Sequence, residues 1–409
     1  MRRTVPGLPM TPASDERPLA LLAAIPHRFF FLSGVSSLAL AALWWAWTLV
    51  ARMGYAAPPA AVAPSALHAF LMVYGFAPFF MFGFLFTAGP RWLGVEPPPS
   101  AAWRPAGVAA AVAVLSLLPL QVAPAWATQF AAGVYALAWA VLLFRFVSLI
   151  RASTVGDKVH ARLVAFALAA GCAGVAAFAI AGPAAHAIVR LLGVWMFLLP
   201  VFVVVCHRMI PFFTANVVPF VTSFRPWWLL AAMVAAPVAH GLVEAAGLSA
   251  WSFVVDLPVA ILMIAVTVRW GIVQSLANRL LAMLHLGFVW FGTGFALYAI
   301  SSLAELVGAN GLGLAPMHAL TIGFASSLLM AMVTRVTCGH TGRTLQADAV
   351  TWRLFLLLQV AVVARVGAEL VPVPGALALA GALYAASFVP WAVKYAPLYW
   401  RPRGDGRPG

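Results

Sequence analysis

Nine histidines stand in a chain of 409 residues that is 64% hydrophobic and only 8% charged. An imidazole in so apolar a setting is costly unless it has a partner or a job, and the neutral ring is a ligand for haem iron and copper. The alternative for any single one is an interfacial residue at a helix end. Spacing limits the combinations. His318 and His340 lie 22 residues apart in one apolar run, about 33 Å along a helix, so they cannot hold the same metal. The histidines therefore divide into a set with His68 and His318 and a set with His207, His285 and His340, which His27 could join. Three neutral imidazoles suit copper or zinc with a fourth position open. The few acids, among them Glu244, Asp256, Glu305 and Glu369, cluster with Arg190 and Arg365. Arg365 and Glu369 are four residues apart and are expected to pair on one helix face.

The elements that must position these groups are membrane helices. Apolar runs of about twenty residues recur, each long enough to cross a hydrocarbon core of roughly 30 Å. A β-barrel would show short alternating segments instead. We expect an all-α polytopic bundle of about twelve helices. The spans are near 29–50, 66–88, 106–122, 125–148, 162–181, 187–206, 226–246, 251–268, 280–302, 314–336, 353–371 and 375–396. Residues 1–28 and 397–409 would be cytoplasmic tails around one transmembrane domain, 29–396. Of the 24 Lys and Arg, all but Arg52, Arg190 and Arg365 then fall on the side of the termini, which the positive-inside bias makes cytoplasmic. His68 and His318 would open helices two and ten at the periplasmic surface. His207, His285 and His340 would lie towards the cytoplasm. Reporter fusions after Arg151 and Arg343 should read cytoplasmic and one after Ala60 periplasmic; a periplasmic signal at Arg343 would refute the twelve-helix order.

Other classes are excluded by position and motif. The net charge of +14 comes from single basic residues at helix ends, so no nucleic-acid partner is expected. Cys172, Cys206 and Cys338 form no C-x-x-C-H motif, which argues against covalent c-type haem. Residues 1–28 lack an apolar core with a small-residue cleavage site, so no removable signal peptide is expected.

Three fragments carry a family resemblance. They are His318-Ala-Leu-Thr-Ile-Gly through Met332-Val-Thr-Arg-Val-Thr-Cys-Gly-His-Thr-Gly-Arg343, Arg208-Met-Ile-Pro-Phe-Phe-Thr214, and Gly83-Phe-Leu-Phe-Thr-Ala-Gly-Pro-Arg-Trp-Leu-Gly94. Together they resemble the NnrS family, bacterial inner-membrane proteins linked to the nitric oxide response and described as binding haem and copper. The chain departs from the family at helix two. There a His-x-His-Glu opening is common, but this sequence reads His68-Ala69-Phe70-Leu71, marking a divergent branch. His207 stands where the family usually has a small residue.

The resemblance implies a non-covalent, b-type haem and a possible copper ion. It also implies a small diatomic ligand such as nitric oxide, an electron donor of unknown identity, and the lipid bilayer as partner. His68 and His318 would share one haem iron, with Arg365 or Arg190 at the propionates. His207, His285 and His340 would form the second metal site. In the plainer reading the arginines and acids anchor helix ends, and the Gly-His-Thr-Gly-Arg run only ends a helix. Two other functions stay open. A haem–copper-oxidase-like oxidoreductase lacks support from any His-x-His within a helix. A metal-free transporter would show inverted repeats and interrupted helices.

Overall fold

The computed structural model describes residues 18–55, 60–219, 222–371 and 373–405. Most of the expected N-terminal tail, including Arg2 and Arg3, lies outside the described residues, as do the last four residues of the C-terminal tail. Among the described residues there is no strand. Ten helical stretches are long and apolar enough to cross a membrane. One of them, Val159–Val217, runs for 59 residues and is interrupted by a 3-10 turn over Gly182–Ala185. Gly182 has φ +56°, a conformation that lets the chain fold back so that the two halves pack on each other. The 17-residue helix Phe253–Arg269 is shorter but within spanning range, and it packs along Arg279–Leu306.

Counted this way, the described residues form twelve helices of spanning length, the number expected. We label them α1 (Pro26–Ala51), α2 (Pro64–Thr87), α3 (Ser100–Leu120), α4 (Ala125–Ala152), α5 (Val159–Ala181), α6 (186–217), α7 (Trp227–Ala245), α8 (Phe253–Arg269), α9 (Arg279–Leu306), α10 (Ala315–His340), α11 (Ala349–Leu370) and α12 (Ala376–Tyr395). An even count returns the chain to its starting side. The buried Arg28 guanidinium shows this directly: it donates to the carbonyls of Tyr399 (3.2 Å) and Arg401 (2.8 Å). We call this face proximal and the opposite face distal. Outward-facing Leu137, Phe166, Ile180, Val268 and Val393 are all strongly exposed. An apolar surface of that extent needs a lipid environment.

Several helices outrun their expected ends because apolarity marks the hydrocarbon and not the helix. α6 continues from the expected stop at 206 to Val217, through Pro211, and α10 continues from 336 to His340. Gly342, at φ +67°, ends α10, and the Arg343 amide returns to the Cys338 carbonyl at 2.9 Å, a Schellman cap. Gly339, expected to share that role, lies inside the helix.

α2, α6 and α10 each carry a π-helical stretch in the distal half, at Leu71–Gly75, Leu191–Leu198 and Ala319–Ser326. They recur at every fourth helix. Such wide turns release backbone groups from the i→i−4 ladder and collect at functional sites. Here hydroxyls take the carbonyls up. The buried Tyr74 hydroxyl donates to Val189 O at 2.7 Å, Tyr135 donates to Tyr74 O at 2.7 Å, and Ser326 donates to Thr321 O at 3.0 Å. Gly174 and Gly193 face the Tyr74 phenol, where a Cβ would collide. Tyr74→Phe strands the Val189 carbonyl, and a loss of about 1–2 kcal/mol is expected, readable as a lower unfolding midpoint in detergent.

Candidate functional site

The three π-helical stretches border one cavity of about 650 Å³ at the distal end, which is also lined by α1, α11 and α12. Its wall includes Met72 and Val73 of α2, Val194 of α6, and Thr321, Ile322 and Ser326 of α10. The bulges therefore shape its walls. Into this wall the structure brings His68, His318, Arg190 and Arg365, the four residues expected there from the sequence.

The two imidazoles are held differently. His318 Nδ1–H donates to the Leu314 carbonyl at 2.9 Å, which leaves the lone pair on Nε2. A backbone hydrogen bond of this kind fixes the tautomer of metal-binding histidines. His68 is stacked on Trp45, with ring centroids 3.8 Å apart and planes 12° from parallel. Its Nδ1 is buried with no hydrogen-bond partner. Arg52 covers Trp45 at 5.0 Å, and both line the cavity, as does His186.

Charge in the cavity is lopsided. Arg52, Arg190 and Arg365 line it against a single carboxylate, Glu369. Arg365 and Glu369 pair at 2.7 Å as their spacing required, yet Arg365 Nη1 is buried and bonded to nothing. Arg190 pairs outside the lining with Glu244 at 2.6 Å. A guanidinium with one buried, unused donor calls for an anionic group in the cavity.

The proximal histidines are not brought together. His207 Nε2–H donates to the Pro226 carbonyl at 3.1 Å, and its Nδ1 accepts from His160 Nε2–H at 3.1 Å. His285, fully buried, donates from Nε2 to Thr214 Oγ1 at 2.9 Å; that hydroxyl gives its own proton to the Ile210 carbonyl. His340 lies against His27, with ring centroids 4.5 Å apart. Among the described residues no group of three His, Cys, Asp or Glu could hold a metal ion. The three-imidazole arrangement is thus corrected to two histidine pairs, His160–His207 and His27–His340, and one histidine bonded to a threonine. A place on the same side of the bundle did not ensure a shared face.

Sequence reasoning missed three features. Trp45 on α1 and Arg52 at its C-cap stand seven residues apart, a spacing that puts them on one face, but only the fold shows that His68 joins them. The π-helical stretches have no sequence signature. A buried dyad was also missed: His240 Nδ1 lies 2.7 Å from Asp256 Oδ1, both almost wholly inaccessible. Trp195 and Tyr298 cover the His240 ring, each with centroids at 4.2 Å. Trp195 Nε1 donates to Glu244 at 2.9 Å, so the dyad is linked through Glu244 to Arg190 in the cavity wall.

No curated protein matches this chain. A family model does, described as NnrS protein, over residues 21–403. That match runs through all twelve helices and both ends of the bundle, and the chain belongs to the NnrS family.

Proposed function

We propose that the protein is a haem-binding inner-membrane protein that handles nitric oxide or protects against nitrosative stress, with both termini cytoplasmic. One observation carries the haem reading. A single cavity presents two imidazoles with nitrogens left free by the fold, together with a guanidinium that has one buried, unused donor. Its volume lies within the range of cofactor-sized pockets. The residues present therefore fit a haem.

His68 and His318 would be its ligands, and Arg365 and Arg190 would meet its carboxylates. Bound there, a haem would supply an iron able to exchange electrons and, only where one of the two imidazoles gives way, to take a diatomic ligand. The protein's part is to hold it. The Leu314 carbonyl fixes His318 in the tautomer that leaves Nε2 free. Trp45 restricts rotation of the His68 ring. Arg365 offers a donor already stripped of water. Glu369 keeps Arg365 oriented while leaving Nη1 unused.

Copper belongs to the same proposal only as a family property. The proximal histidines do not fit a shared ion, so no copper chemistry is derived from them. A pyridine haemochrome spectrum with metal analysis on detergent-purified protein tests the reading. A b-type spectrum is expected. Protein that is folded, expressed in haem-replete cells and free of haem would overturn it.

A further inference from the structure

Two smaller spaces lie below the distal cavity. The first, of about 80 Å³, is lined by α1, α2, α6, α9 and α10 and is partly open. The second, of about 50 Å³, lies nearer the proximal face, bordered by His160 and Arg208. The three follow one another along the same helices. On α2 the cavity wall ends at Phe76 and the middle chamber begins at Ala77; on α10 the change falls between Ser326 and Leu328. The middle and lower spaces share Met81, Phe84, Val201, Val205 and Met209 as walls.

The chemistry of the middle chamber is one-sided. Every side chain lining it is apolar, apart from the thiol of Cys206. Its walls include Phe31, Phe80, Ile210, Leu284 and Leu328, all buried. A single water needs about 10–15 Å³ of such space and two to four polar partners. The room is there and the partners are not. An ion or a hydrogen-bonding ligand would forfeit several kcal/mol on entry. A small uncharged molecule loses little hydration and gains dispersion contacts, strongest against polarisable sulfur. Met81, Met209 and Met332 supply that sulfur. Their unbranched side chains can swing without disturbing the backbone, so the shared wall at Met81 and Met209 is one that a small molecule can pass.

We propose that the middle chamber is a docking site for a small uncharged apolar molecule of diatomic size, set on a route through the bundle between the distal cavity and the His160–Arg208 end. The site does not require a haem in the cavity. The reading of the cavity gives it a purpose: a gas dissolved in lipid would be held within reach of the histidines.

Xenon tests this, being apolar, uncharged and directly observable. Purified protein pressurised with xenon should show a saturable site by xenon NMR, and xenon-soaked crystals should place it among Ala77, Val201 and Leu328. Val201→Phe and Leu328→Phe, on different helices, should each abolish that site. Val268→Phe, on the lipid-facing surface of α8, should leave it unchanged. Circular dichroism and the unfolding midpoint identify a variant that fails to fold. Folded wild-type protein with no saturable xenon, or unchanged binding in both folded filling variants, would overturn the proposal. Loss of haem from the same samples would bear on the cavity and not on the chamber.

Discussion

His318→Ala is expected to purify as a folded, membrane-inserted protein almost devoid of haem, and His68→Ala is expected to do the same. Loss of an outer-shell partner of a metal site costs roughly 10–100-fold in affinity, and loss of a ligand costs at least as much. Occupancy should therefore fall below about a tenth of the unaltered protein. The histidine Nε2 is the only one of the two His318 ring nitrogens left free, because Nδ1–H is committed to the Leu314 carbonyl. Imidazole added to His318→Ala fills the space vacated by the ring and should restore part of the Soret band, which an unfolded or misassembled protein could not do. His207→Ala, His285→Ala and His340→Ala, whose side chains bond or stack elsewhere, should keep full haem. Arg365→Gln removes the unused donor and should weaken haem retention while leaving the spectrum of bound haem unshifted. Full haem in both His68→Ala and His318→Ala would end the assignment of this cavity.

The second large effect concerns stability at the His240–Asp256 dyad. Asp256→Leu should destabilise the protein by about 1–3 kcal/mol, the cost of leaving a buried donor without its acceptor. His240 would be left buried under Trp195 and Tyr298 with no acceptor at Nδ1. The double variant His240→Leu/Asp256→Leu should recover most of that loss, since replacing both members by apolar groups of similar size is often close to neutral. The unfolding midpoint in detergent reads both, and the coupling is the departure from additivity. Two independent, additive losses would mean that the pair contributes no more than its separate packing.

The number of helices, their approximate places and the return of both ends to one face were legible in the residues. Hydrocarbon thickness forces each crossing to be an apolar run of nearly fixed length, and that demand is written locally in the chain. The Arg365–Glu369 pair was legible for the same reason: residues four apart on a helix must meet. His68, His318, Arg190 and Arg365 could be assigned to one end because depth follows from position within a run. Depth is all that position provides. Which way a side chain points around its helix axis depends on how the helices pack, so His207, His285 and His340 all lay towards the proximal side and still turned to different neighbours. The π-helical stretches of α2, α6 and α10 belong to the tertiary structure as well, since the hydroxyls of Tyr74 and Tyr135 that hold carbonyls there come from other helices. The cavity itself exists only where these widened turns meet, a relation among segments more than a hundred residues apart that no local pattern encodes.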